Sequence, residues 1–237
     1  MKCLDLTLPT PAANLACDEA LLDACEENSG EEILRFWEPR EYFVVVGYAN
    51  KIASEVNLEI CRKNKIPVLR RCSGGGTVLQ GPGCLNYSLV LQIDGANALQ
   101  SITATNQFVM ERHRETLSAV LDLPVQCRGL TDLSIGEKKF SGNAQRRKRQ
   151  ALIFHGTFLL DFDLSLVQKF LSMPSKEPDY RLERSHQDFL INLKISADTI
   201  KSALQKSWGA KETQTSAPDF APLLESKYAR DEWNLKF

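Results

Sequence analysis

With 237 residues the chain can bury a sizeable core, and its formal net charge of −1 gives no overall pull toward nucleic acid or a membrane surface. No apolar run approaches the roughly 18 residues of a membrane helix, and Asp5 places an acid too early for a signal peptide. Seven cysteines without a C-x-x-C pair read as reduced thiols of a cytoplasmic protein, and three histidines are too few for a histidine-rich metal site, so no residue is assigned to a metal.

In chain order, residues 2–8 alternate as an opening strand, and Pro9-Thr10-Pro11 supplies a stop and a helix start. Over residues 12–28, Cys17, Leu21 and Ala24 recur at helical spacing, and Ser29-Gly30 ends the helix. Residues 32–37 and 42–46 read as strands around the turn Glu38-Pro39-Arg40. The unbroken Val44-Val45-Val46 implies burial on both faces. Residues 50–63 read as one helix with Val56, Ile60 and Cys61 on one face, and residues 67–69 as a strand. Residues 77–79 and 85–91 then read as a hairpin joined by Gly81-Pro82-Gly83. A long helix is expected over residues 102–121, with His113 among charged neighbours on a solvated face. Strands follow at 125–127, 131–135, 139–146 and 152–161, with Gly136-Glu137 as a hairpin turn, and helices at 164–171, 197–208 and about 218–234. With no repeats and no low-complexity linker, the expectation is a single α+β domain over residues 1–237. It has mixed β-sheets with packed helices and a mostly helical C-terminal third.

Three stretches carry chemistry. In Arg70-Arg71-Cys72-Ser73-Gly74-Gly75-Gly76-Thr77-Val78-Leu79, two permanent cations precede a backbone without Cβ atoms, which can bring its N–H groups close to an anion. Alone, the triplet reads more readily as a flexible turn. In Lys139-Phe140-Ser141-Gly142, a lysine on a strand precedes two small residues that leave room for a ligand; alone, it reads as a solvated strand residue. In His155-Gly156-Thr157, polar groups interrupt an apolar strand, and a satisfied structural histidine is the default reading.

Taken with Leu85-Asn86-Tyr87-Ser88, Asn14-Leu15-Ala16-Cys17-Asp18-Glu19-Ala20 and the closing Lys227-Tyr228 and Glu232-Trp233-Asn234, these motifs resemble the lipoate-protein ligase A family, in order, across nearly the whole chain. The resemblance implies the fold of the biotin and lipoate ligase catalytic domains. It implies activation of lipoate by ATP and Mg²⁺ to lipoyl-AMP, then attack by a lysine of a lipoyl-domain acceptor, an E2 subunit or the H protein of glycine cleavage. By position Lys139 matches the lysine that touches acyl carbonyl and α-phosphate, and Arg71, Gly75, Gly76, Thr77, Val78 and Leu79 match the segment around the adenylate. Ser73, Asn86, Asp132, Ser141, Gly142 and His155 complete the expected binding set, with Thr131 standing where the family's Asn-Asp-Leu motif has Asn. The apolar strands around Val45 and Val78 are the implied acyl slot. This is not a P-loop, because no Gly-Lys-Ser/Thr follows the glycines.

The chain is short beside ligases that carry a further small domain, so either independent action or a separate accessory subunit is compatible with the resemblance. The rival is an octanoyltransferase that takes its acyl group from acyl carrier protein through a thioester, with Cys127 as nucleophile. Among seven cysteines, Cys127 reads more readily as an ordinary small core residue than as a nucleophile. The run Arg146-Arg147-Lys148-Arg149 suits an acidic protein partner under either reading. No helix-turn-helix pattern supports nucleic-acid binding.

Overall fold

The computed structural model describes residues 1–27, 31–93, 95, 97–212 and 216–237. The expected helix end at Ser29-Gly30 lies outside these. In order the elements are β1 (Lys2–Asp5), α1 (Pro11–Glu27), β2 (Ile33–Trp37), β3 (Phe43–Val46), α2 (Ile52–Glu55), α3 (Leu58–Lys63), β4 (Val68–Arg70), β5 (Val78–Gln80), β6 (Cys84–Gln92), α4 (Ile102–Leu121), β7 (Val125–Arg128), β8 (Asp132–Ile135), β9 (Lys138–Arg147), β10 (Ala151–Leu159), α5 (Val167–Phe170), α6 (His186–Phe189), α7 (Ala197–Trp208), β11 (Lys211–Glu212), α8 (Ala221–Leu223) and α9 (Asp231–Asn234). None of the described helices is long and apolar enough to cross a membrane.

The described residues build two mixed sheets. The larger has the order β11-β1-β2-β6-β10-β9-β8-β7, and the smaller β4-β3-β5. Alternation along each strand splits the large sheet into two chemically different faces. On one face Leu34, Phe36, Leu89 and Phe154 pack against Val109 and Leu117 of α4 and Ile200 and Leu204 of α7. On the other face, cross-strand registers line up three rows: Ile33, Val90 and Ile153; Arg35, Ser88, His155 and Ala144; Trp37, Asn86, Thr157 and Gly142. The first row is apolar and packs beneath α1. The next two are mainly polar, and the small sheet faces them across a cavity. Mixed sheets with packed helices are therefore the architecture, as the sequence implies.

Several local expectations need correction. The Gly136-Glu137 hairpin forms between β8 and β9, but the one expected about Gly81-Pro82-Gly83 does not, nor do the strands around Glu38-Pro39-Arg40 pair: β2 and β6 lie in the large sheet, whereas β3 and β5 pair with each other in the small one. Gly81-Pro82-Gly83 instead carries the chain between sheets. Gly83 has φ +87°, and a Cβ there would lie 2.3 Å from the Asp161 carbonyl oxygen. The helix expected at residues 50–63 breaks between α2 and α3, where Val56 forms a bridge with Leu171, and Ile60 is exposed. The closing helix is likewise split into α8, a π-turn Leu224–Tyr228 and α9.

His113 is fully buried, not solvated. Its charged sequence neighbours project about 100° to either side, while Val109 and Leu117, one turn away, share its inward face. Trp208 Nε1 donates to His113 Nε2 at 3.0 Å, and burial pulls the imidazole down to about 3. The basic run also has internal duties: Arg147 donates to Thr105 and to the Leu99 carbonyl, and Lys148 pairs with Asp23 at 2.7 Å.

Candidate active site

Between the polar rows of the large sheet and the small sheet lies a cavity of about 790 Å³. Arg71, Gly75, Gly76, Thr77, Val78, Leu79, Asn86, Asp132, Lys139, Ser141, Gly142 and His155 all line it. Residues 70–79 and 139–142, distant in sequence, reach it because β5 and β9 belong to opposite walls.

On the small-sheet side, the two arginines diverge as neighbours at the end of a strand must. Arg70 is fully buried and donates to the carbonyls of Gly47, Tyr48, Asn50, Trp233 and Lys236, fastening the C-terminal segment behind the loop. It offers nothing to the cavity, so the expected cation pair reduces to Arg71. Arg71 Nη2 donates to the carbonyls of Gly74 at 2.6 Å and Gly76 at 2.7 Å, and its Nε to Ser73 Oγ at 3.1 Å. Burial pulls its guanidinium down to about 10, which leaves it charged near neutral pH. Because a trans peptide sets C=O and the following N–H in opposite directions, the amides of Gly75 and Thr77 point away from Arg71. Gly75 has φ +87°, and a Cβ there would sit 2.8 Å from Arg71 Nη2. Gly47 is required too: a Cβ there would lie 2.1 Å from the Gly75 carbonyl oxygen.

Ser73 is fully buried and does not line the cavity. Its hydroxyl lies 2.5 Å from His155 Nε2. Burial lowers the His155 imidazole to about 4, with Asp18 opposing and Arg71 adding to the shift. At neutral pH His155 is therefore an uncharged wall of the cavity. Across the floor, Gln80 donates to Thr157 Oγ1, Thr157 to Asn86 Oδ1 and Asn86 to Gln80 Oε1, at 2.9, 2.5 and 2.9 Å. This closed triangle joins the two sheets.

On the large-sheet side, Lys139 Nζ lies 2.8 Å from Asp132 Oδ1, and Tyr180 donates to Asp132 Oδ2 at 2.9 Å. A Cβ at Gly142 would lie 2.8 Å from Lys139 Nζ, so the bare backbone gives the ammonium its place. Asn143 accepts from Tyr87 Oη at 2.7 Å and donates to the Thr131 carbonyl at 2.6 Å, while Thr131 Oγ1 donates to the Asn143 carbonyl at 2.7 Å. Its amide lies against Gly156, where an added Cβ would be 1.8 Å from Asn143 Oδ1. An apolar wall is formed by Leu15, Trp37, Val45 and Val78.

Sequence reasoning missed Gly47, Gln80, Asn143, Thr157 and Tyr180. Asn143 and Thr157 sat inside the quoted motifs but carried no charge to single them out. Tyr180 had no local signal. Cys127 is exposed on the edge strand β7, outside the cavity, with Sγ 3.5 Å from the Met110 carbonyl oxygen. Its thiol is raised, first by partial burial and then by Glu111, against Arg114. None of the other six cysteines lines the cavity either, and burial pushes Cys72 and Cys84 up to about 12. No group of three or more His, Cys, Asp or Glu among the described residues could hold a metal ion.

The lipoyl protein ligase A/B catalytic domain model matches residues 10–208. Lipoate-protein ligase A subunit 1 of Thermoplasma acidophilum is 27% identical, over 97% of this chain and 95% of that protein. Octanoyltransferase LipM of Brevibacillus brevis is 26% identical, over 96% and 95%. Of two mycoplasma relatives at 31% identity the chain spans 50% and 56% of the length. Among solved structures, a bipartite lipoate protein ligase described with its E2 lipoyl domain, also from T. acidophilum, superposes with TM-score 0.84 at 28% identity, over 99% of this chain and 96% of that one. A lipoate-protein ligase A bound with ATP gives 0.83 at 26%, over 99% of each chain, and a T. acidophilum structure with bound lipoic acid gives 0.82 at 26%, over all of both.

Proposed function

As a member of the lipoyl protein ligase A/B catalytic family, the chain is, we propose, a cytoplasmic, ATP-dependent lipoate-protein ligase whose whole length acts as one catalytic domain. In this reading the lipoate carboxylate attacks the α-phosphorus of ATP, pyrophosphate leaves, and lipoyl-AMP remains bound. The ε-amine of a lysine on a lipoyl domain then attacks the acyl carbon, and AMP leaves with the carboxyl oxygen. The acceptors are E2 subunits or the glycine-cleavage H protein, and an accessory subunit takes part if this chain works as the bipartite relative does.

The observation that carries the reading is the cavity's inventory: Arg71 lines it from the small-sheet side and Lys139 from the large-sheet side, Lys176 and Arg181 add two further cations from residues 172–190, and no cysteine lines it. Adenylation brings two anions together, which demands positive charge at the junction in a poorly solvated place. Arg71 has no carboxylate within ion-pair distance among the described residues, so its charge is available to an anion. The N–H groups of Gly75 and Thr77, directed away from it, suit the phosphate. The wall of Leu15, Trp37, Val45 and Val78 suits the acyl chain, whose burial would hold the carboxylate in line with the α-phosphorus. No protein group is assigned to the Mg²⁺ that accompanies the nucleotide.

Octanoyl transfer from an acyl carrier protein thioester is the second reading, favoured by near-equal identity to octanoyltransferase LipM. It requires a thiolate beside the acyl carbon, and Cys127, with a raised thiol on the outer edge of the sheet, is poorly suited to supply one. Two parallel incubations separate the readings: lipoate, ATP, Mg²⁺ and a lipoyl domain, or octanoyl-acyl carrier protein and a lipoyl domain without ATP. Pyrophosphate release with lipoylation in the first supports the ligase. Acyl transfer confined to the second overturns it.

A further inference from the structure

Residues 172–190 border the cavity and contribute, among others, Pro174, Tyr180, His186 and Phe189 to its lining. This segment contains only a short 3₁₀ turn, Asp179–Arg181, and α6, so its position depends on attachments to its surroundings. Arg184 Nη1 donates to the Glu137 carbonyl at 2.9 Å, and the Ser175 amide to Glu55 Oε1 at 3.3 Å. The Ser172 amide also donates to the Glu55 carbonyl at 3.1 Å, and Leu190 forms a bridge with Lys139. The attachment through Tyr180 differs in kind, because Tyr180 Oη donates to Asp132 Oδ2 at 2.9 Å while Asp132 Oδ1 holds Lys139 Nζ at 2.8 Å.

We propose that Tyr180 is a positioning residue that acts on Lys139 through Asp132, so that seating of residues 172–190 at the cavity and placement of the Lys139 ammonium are one event. This rests on the reading that Lys139 serves acyl activation. A carboxylate bound on one oxygen only can rotate about its side chain; a hydrogen bond to the second oxygen fixes the plane and therefore the place of the cation. Gly129 and the Tyr180 ring make this contact possible. Gly129 has φ +56°, and a Cβ there would meet Pro178 Cβ at 3.3 Å and the Tyr180 ring at 3.7 Å, so the backbone of the β7–β8 turn lets the segment lie against it. The ring is held independently of its hydroxyl, by Phe189 at 5.2 Å and under Arg128 at 5.6 Å. Tyr180→Phe therefore removes the hydrogen bond while leaving the packing in place.

The test is a double-mutant cycle of Tyr180→Phe and Asp132→Asn on the full chain, read in two ways. In steady-state pyrophosphate release, Tyr180→Phe should lower kcat about tenfold, as loss of a hydrogen bond to a charged group does, with KM for ATP and lipoate within about twofold. In the Asp132→Asn background the same change should have no further effect on kcat. In limited trypsin digestion without substrates, either single variant should raise cleavage between Lys176 and Arg184 equally, and the double variant no further. Multiplying effects in the cycle, or a wild-type kcat and cleavage rate for Tyr180→Phe, would overturn the inference. Failure of the ligase reading looks different: the unmodified chain releases no pyrophosphate, while the digestion arm still tests the coupling.

Discussion

On one side of the cavity Arg71 is held by carbonyl oxygens of the loop it supports, whereas on the other Lys139 is held by a carboxylate, and that carboxylate by a tyrosine. The difference separates two uses of positive charge. Carbonyl dipoles solvate Arg71 without neutralising it, so its field survives for a ligand, but the loop loses its shape if the guanidinium leaves. Lys139 is ion-paired at rest with Asp132, which, under the proposed function, an incoming phosphate would replace without disturbing the backbone. One cation is part of the scaffold, and the other can change partners.

The comparison breaks most sharply if Lys139 is removed. Lys139→Ala should lower adenylate formation on the order of a thousandfold, measured as pyrophosphate release, because charge building in the transition state loses its counter-charge. Its unfolding free energy should move by no more than about 1 kcal/mol in urea titrations, since the pair is partly solvated. Arg71→Lys should lower both quantities together: activity about a hundredfold and stability by about 2–3 kcal/mol. A point charge cannot reproduce the fork that serves Ser73, Gly74 and Gly76. A variant that lost activity at Arg71 with unchanged stability would erase the distinction.

A smaller effect reads the uncharged wall between the two cations. His113, His155 and His186 are lowered to about 3, 4 and 4, each by burial first. The unfolded chain then binds more protons than the folded one from the ordinary histidine value near 6.5 down to about 4 for His155 and His186 and about 3 for His113. Stability from these groups is full above pH 6.5 and is lost as pH falls through that window. Thermal midpoints recorded from pH 7.5 to 4.5 should drop steadily, and His113→Asn should flatten the slope. The smallest effect belongs to Cys127→Ala, which should leave lipoylation within about twofold by gel-shift or mass spectrometry.

How much of this was legible beforehand follows from the range of the forces involved. Helix α4 and helix α7 could be read from periodicity and capping, because their determinants lie within one turn. The pairing partners of β3 and β5 could not. A turn such as Gly81-Pro82-Gly83 reverses the chain without stating which sheet edge is free to receive it. At the cavity, charged or glycine-rich motifs announced Arg71, Gly75 and Lys139. Asn143 and the Gln80, Asn86 and Thr157 triangle are neutral groups whose importance is created by partners far along the chain. His113 misleads because residues adjacent in a helical sequence project about 100° apart, so charged neighbours say nothing of the face it occupies. Arg70 misleads because two like charges in a row on a strand end cannot serve the same surface.

The central claim is that the acyl group is activated on a nucleotide phosphate and never on a cysteine of this chain. Lipoate labelled with ¹⁸O in both carboxyl oxygens, incubated with the enzyme, ATP, Mg²⁺ and a lipoyl domain, tests it directly. AMP carrying one ¹⁸O on its phosphate is the predicted product, since the oxygen that attacks phosphorus leaves with AMP when the amine takes the acyl carbon. Unlabelled AMP together with an acyl adduct on Cys127 would contradict the account.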